Sequence, residues 1–204
     1  MAMPDQWTEI AFVAISDEDG NEYSFGTITD TIDLSWGSRD VESIATVSAG
    51  RVTKFTPEDI TEITLELFPV GISSSGSTPN GIQGWFMGIE PTATEGKCTF
   101  TRKKFRVTVL WTTAAAGDFT SATGAIPTTG TCSSLRFSFW NAYLTDSSVD
   151  FTDDIVKSTV TFKCAPYDRA GESLIIAEEK DAGQLVAIPA YAGAAPTVFP
   201  PTWA

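Results

Sequence analysis

The 204 residues predict an all-β protein: a β-sandwich or barrel of two packed antiparallel sheets, with one short flanking helix, long loops and an extended C-terminal arm. Three observations predict it. Apolar residues recur with a period of two in several separate stretches, as they do in strands with one buried face. Gly, Asn and Asp punctuate those stretches where hairpins would turn. Helical periodicity is scarce.

Residues 7–15 read as the first strand, ending at Asp17-Glu18-Asp19-Gly20-Asn21, a turn in which Gly and Asn tolerate positive φ. The returning strand covers about 22–28. Thr27, Thr29, Thr31, Asp33 and Ser35 then alternate with Ile28, Ile32, Leu34 and Trp36, which suits a pleated, half-buried surface. Residues 47–55 predict a hairpin turning at Ala49-Gly50. In 60–68, Ile63, Leu65 and Leu67 share one face, and Glu62, Thr64 and Glu66 share the other.

Residues 81–88, with Ile82, Trp85 and Phe86, are the best candidate for the short helix. In 104–111, Phe105, Val107, Val109 and Trp111 point inward, and Lys104, Arg106 and Thr108 outward. In 134–144, Leu135, Phe137 and Phe139 point inward, and Arg136 and Ser138 outward. In 155–164, Val156, Val160, Phe162 and Cys164 oppose Lys157, Thr159, Thr161 and Lys163. The loops at 71–81 and 112–131 are long enough to imply a purpose, either contact with a neighbour or a flexible lid.

Residues 1–180 form one expected domain, and 181–204 the arm. The arm is rich in Pro and Ala, which favours extended chain. Yet it carries Leu185, Val186, Ile188, Tyr191, Val198, Phe199 and Trp203, too many large apolar groups for a disordered tail. It is expected to dock, on its own core or on another subunit.

The formal net charge of −13 argues against wrapping nucleic acid, which needs clustered cations, and against an anionic membrane surface. Acidic residues dominate positions 1–70. Lys97, Arg102, Lys103, Lys104 and Arg106 form a run of cations with no acid among them. That run reads as a solvated strand face or as an electrostatic contact between copies. With Phe199 and Trp203, it supplies the candidate subunit-contact residues. Neither a signal peptide nor a transmembrane helix is expected.

The chain contains no histidine, which removes Ser-His-Asp and Cys-His nucleophile activation and the commonest zinc ligand. Cys98, Cys132 and Cys164 are unpaired in spacing and read as free buried thiols. Asp153-Asp154 and Glu178-Glu179 read as solvated acids. The turn at Asp17 departs from a calcium loop of the EF-hand type, because Gly stands fourth rather than sixth. Trp36, Trp85, Trp111, Trp140 and Trp203 are numerous enough for a carbohydrate groove, but most lie in apolar registers that favour packing. No enzyme activity, metal or cofactor is expected.

Two stretches resemble the major tail tube proteins of tailed phages and archaeal tailed viruses. One runs from Ser24 to Val70 through Thr27-Ile-Thr-Asp-Thr-Ile-Asp-Leu-Ser35, Arg39-Asp-Val-Glu-Ser-Ile44 and Gly50-Arg-Val-Thr-Lys-Phe-Thr-Pro57. It closes on the alternating strand 62–68 and Pro69-Val70. The other is Ser134-Leu-Arg-Phe-Ser-Phe-Trp-Asn-Ala-Tyr143, followed by 153–166 and Tyr167-Asp-Arg-Ala-Gly171. The likeness is one of strand order and covers about half the chain.

It implies six-membered rings stacked into a hollow tail tube in the virion, made in the host cytoplasm. Viral DNA would pass through without tight binding. The implied partners are the subunit itself and other tail proteins: tape measure, tail terminator and baseplate or tip. Thr27, Thr29, Thr31, Asp33, Glu62 and Glu66 are the candidate lumen or polar-face residues, since an acidic or neutral polar wall repels phosphate. The alternatives are another self-assembling coat or surface-layer subunit, or a carbohydrate- or calcium-binding β-sandwich.

Overall fold

A computed structural model describes residues 11–27, 32–47, 50–67, 102–114, 121–126, 133–151, 156–181 and 185–194. The short helix expected at 81–88 and the loop at 71–81 lie outside them. The described residues hold ten strands and no helix. In chain order these are β1 (Ala11–Asp17), β2 (Glu22–Thr27), β3 (Ile32–Ser35), β4 (Val41–Ala45), β5 (Arg51–Phe55), β6 (Thr61–Leu67), β7 (Phe105–Thr112), β8 (Ser133–Phe151), β9 (Val156–Cys164) and β10 (Ile175–Asp181).

All pairings are antiparallel. The first sheet runs β2, β1, β7 and the first half of β8, with β10 on the far edge of that half. The second runs from the second half of β8 through β9 and β6 to β3. The two sheets therefore share β8, a strand of 19 residues. Its change of sheet occurs at Asn141, where φ is 57°. Here the β7–β8 ladder shifts register between Phe105 and Val107, which places an extra β8 residue opposite Arg106. A bulge of this kind bends a strand and increases its twist.

Asparagine tolerates the left-handed conformation better than most residues with a β-carbon. The Tyr191 hydroxyl donates to Asn141 Oδ1 at 2.8 Å and holds the corner from the arm side. We expect Asn141→Ala to cost about 1–2 kcal/mol in urea unfolding, from the lost bond and the added backbone strain. An unchanged midpoint would mean that the corner needs neither.

The expected alternation produces the principal core. Val13 and Ile15 of β1, Val107 and Val109 of β7, and Phe139 of β8 face Ile63 and Leu65 of β6 and Val160 and Phe162 of β9. Phe105 meets Phe162 edge to face at 5.5 Å. Cys164 closes one end of this core, and its thiol donates to the Trp140 carbonyl at 3.1 Å. Burial pushes that thiol up to about 12. The thiolate is the reactive form. Iodoacetamide at pH 8 should therefore spare Cys164 in native protein and label it in urea, as read by peptide mapping. Equal labelling in both states would contradict the packing.

The other face of the first sheet departs from expectation. Arg106, Thr108, Arg136 and Ser138, expected to face solvent, are all buried. The segment 121–126 and the arm segment 185–194 lie over them as a third layer. Ile126 bridges to Leu185, and the Ile188 amide donates to the Thr123 carbonyl at 2.8 Å. Ala14, Leu110, Ala114, Ala122, Ile126 and Leu185 form a second, smaller core there. A period of two separates the faces of a strand but does not say whether a further layer covers the second one.

Two elements and one side chain also differ. The hairpin expected at 47–55 is formed by β4 and β5, so its first strand lies upstream, at Val41–Ala45. β10 has no counterpart among the expected strands, because Ile175-Ile-Ala-Glu-Glu-Lys-Asp181 lacks apolar alternation. Glu178, read as a solvated acid, is 3% exposed.

Candidate assembly surfaces

The outer face of the second sheet is polar by register. Asp33 and Ser35 of β3 stand opposite Thr64 and Glu62 of β6. Those two stand opposite Thr161 and Lys163 of β9, and Glu66 stands opposite Thr159. The side chains interlock across the strands. The Thr64 and Thr161 hydroxyls are 3.2 Å apart, and Lys163 Nζ lies 3.2 Å from Glu62 Oε2. That ion pair is about half exposed, so screening limits it to under about 1 kcal/mol. Glu62→Gln should shift the urea midpoint by no more than this implies. A larger loss would show that the pair is shielded from water.

The candidate polar-face residues thus divide. Asp33, Glu62 and Glu66 share this face, and Lys163 pairs with Glu62. Thr27 does not join them. It belongs to β2, opposite Ala11 in the first sheet. Thr29 and Thr31 lie outside the described residues.

The β4–β5 hairpin forms a separate two-stranded sheet, and all of its strand residues are exposed. Opposed residues of a ladder share a face. Val41 and Phe55 therefore lie on one face, with Ile44 and Val52 on the other. These four are 52–60% exposed, and Val47 at the turn is fully so. The base of the ribbon is zipped. The Asp40 amide donates to Thr56 Oγ1 at 2.8 Å, the Thr56 amide to the Asp40 carbonyl at 3.0 Å, and the Asp59 amide to the Ser38 carbonyl at 3.0 Å. Arg39 pairs with Glu58 at 3.1 Å.

Gly37 permits this close approach. A β-carbon there would stand 1.9 Å from the Asp59 carbonyl oxygen. Just before it, Trp36 is half exposed and rests against Phe137, with ring centroids 5.6 Å apart.

The candidate subunit-contact residues also divide. Arg102 is exposed. Lys103 pairs with Asp19 in the β1–β2 turn, and that contact raises its pKa. Lys104 is half-buried. Arg106 lies inside the chain, where it donates to Ser16 Oγ at 2.9 Å, to Glu22 Oε2 at 3.0 Å and to the Pro189 carbonyl. Lys97, Phe199 and Trp203 lie outside the described residues. In the same turn, Asp17 Oδ1 accepts the amides of Asp19 and Asn21, at 3.0 and 2.9 Å. That carboxylate serves the turn itself.

Sequence reasoning missed the strand β4. Val41-Glu-Ser-Ile-Ala45 places its apolar residues three apart, on opposite faces of the strand, so it shows no alternation. It also missed Glu178 as the partner of Arg136. The only available signal was that an Arg sits in an otherwise apolar strand.

No family model matches the chain, and no curated protein matches it. Among solved structures, it is similar to a chain of the sheath–tube complex of an extracellular contractile injection system, PVC, in the extended state. The identity is 15% and the TM-score 0.43, covering 81% of this chain and 87% of that one. It is also similar to a chain of the anti-feeding prophage baseplate, at 9% identity and TM-score 0.47, over 91% and 98% of the two chains. A third is the crystal structure of Hcp protein, at 12% identity and TM-score 0.35, over 85% and 99%.

Proposed function

We propose that this chain is the structural subunit of a viral tail tube. Copies join side by side into rings of six, and rings stack into a hollow conduit for genome delivery. The role is one of assembly and has no catalytic step.

The β4–β5 hairpin carries this reading. An isolated two-stranded ribbon is marginal in water. This one exposes Val41, Phe55, Ile44, Val52 and Val47 on both faces and at its tip. So many large apolar side chains exposed on one short ribbon point to an interaction site. The occupant is a second copy of the chain. Apolar groups on both faces suit a ribbon held between two neighbours, and the zipped base holds it in one direction. Rings follow if the edges of the second sheet, β3 and the outer half of β8, meet in successive copies, because closure leaves no edge unpaired. The face bearing Asp33, Glu62 and Glu66 would then line the channel, where carboxylates repel DNA phosphates and keep the strand sliding. Tape measure, terminator and baseplate proteins are the further partners.

The test is assembly. Purified protein, concentrated in low and in high salt, should show rings or tubes with a central channel in negative-stain images. A strictly monomeric protein by light scattering under both conditions would overturn the proposal. Flat sheets or closed shells would favour a coat or surface-layer subunit.

A further inference from the structure

Among the described residues, four buried side-chain polar atoms have no hydrogen-bond partner: Arg106 Nε, Thr108 Oγ1, Ser138 Oγ and Trp140 Nε1. They fall together. Thr108 and Ser138 are directly opposed in the β7–β8 ladder. Arg106 is two residues before Thr108, and Trp140 two residues after Ser138, so they lie on the same face. The Arg106 guanidinium sits over the Trp140 ring, 5.1 Å from its centroid.

The arm covers this face. Arg136, on one side of the Thr108–Ser138 row, donates to the Val186 carbonyl. Arg106, on the other side, donates to the Pro189 carbonyl. The anchored carbonyls flank the row, and Ala187 and Ile188 span the interval between them.

The same two strands supply an internal comparison. Thr112 and Ser134 are opposed in the same ladder, and their hydroxyls bond directly at 2.8 Å. Thr108 and Ser138 are opposed in the same way and are equally buried, yet their hydroxyls do not meet. Buried hydroxyls and N–H groups are rarely left without a partner.

The chemistry of the four groups selects the occupant. Arg Nε–H and the indole N–H can only donate, whereas the hydroxyls both donate and accept. The bridging group must therefore accept from two nitrogens. Water and a halide ion both do so. Charge decides between them. Arg106 is already paired with Glu22 at 3.0 Å and Arg136 with Glu178 at 2.6 Å, so an anion would be a buried charge with no counter-ion.

We propose that this row is an internal hydration site. Ordered water accepts from Arg106 Nε–H and Trp140 Nε1–H, bridges the Thr108 and Ser138 hydroxyls, and is sealed in by the arm. Buried waters typically make about three such bonds. The arm is then joined to the sheet partly through water, between its two arginine anchors.

A high-resolution structure of the intact chain tests this. The expected result is ordered water within hydrogen-bond distance of at least two of the four atoms. That density should be lost in the Thr108→Val, Ser138→Ala double variant. Direct bonding of Thr108 to Ser138 with no density between them would overturn the proposal. So would anomalous scattering at the site after bromide replaces chloride, which would make it an anion site. In solution, the Trp140 indole proton should show cross-relaxation with water. If the double variant does not fold, the wild-type density and this signal decide the matter.

Discussion

Arg136→Ala will destabilise the protein by about 3–5 kcal/mol, the usual cost of breaking a buried ion pair by removing one partner. Arg136 and Glu178 are 1% and 3% exposed. Arg136 Nε donates to Glu178 Oε2 at 2.7 Å, and the rest of its guanidinium donates to the carbonyls of Gly124 and Val186, at 3.0 and 2.6 Å. One side chain therefore ties β8 to β10, to the segment 121–126 and to the arm. Burial pulls its pKa down and Glu178 opposes that shift; an arginine stays charged at neutral pH in either case. Removing it leaves a buried carboxylate and two carbonyls without a donor. Whole domains are stable by only about 5–15 kcal/mol, so much of the margin goes. Urea unfolding of the variant checks this. An apolar replacement of both partners, Arg136→Met with Glu178→Leu, should recover much of the loss, because it leaves no charge behind. If the single variant unfolds at the wild-type midpoint, the pair is not buried as described.

Replacing Val52 and Phe55 together by Thr will leave the fold intact and raise the concentration needed for tube formation by on the order of 100-fold. Both residues are on β5, and they point to opposite faces of the hairpin. Each is more than half exposed within one chain, so neither contributes much to folding. Buried against a neighbour, an apolar side chain of this size contributes about 1.5–3 kcal/mol. Losing most of two such contributions gives that factor, at 1.4 kcal/mol per tenfold. Thr retains the β-branched shape that suits a strand. Light scattering against concentration measures the shift, and urea unfolding confirms the unchanged fold. Assembly at the wild-type concentration would show that the hairpin is not part of the contact.

The two variants differ in what foretold them. Thr61–Leu67 and Val156–Cys164 were legible because each buries one face and wets the other, and a strand writes that difference into alternate positions. The polar face formed by Asp33, Glu62 and Glu66 was half legible for the same reason. Local pattern shows which residues are polar, but it does not separate them from Thr27, whose strand pairs in the other sheet. The hairpin was misplaced because β4 and β5 bury neither face in one chain. A ribbon without an inside carries no alternation.

Arg106 and Arg136 mark the other limit. Local pattern treats a charged residue between apolar neighbours as the wet side of a strand. The wet side here is covered by residues about 50 to 80 positions later in the chain, the arm segment around Val186 and Pro189.

The sequence points to an all-β protein, to strands close to β1, β2, β6, β7, β9 and the first part of β8, and to the lack of histidine-dependent chemistry. These follow from composition and from near-neighbour periodicity. Long-range packing makes one 19-residue strand serve both sheets through a left-handed Asn141, adds the arm as a third layer over a sandwich face, and brings the buried cations to carboxylates in β2 and β10. Those outcomes depend on which distant segments meet. Burial and pairing energies are properties of contacts between segments, and no single stretch of chain records them.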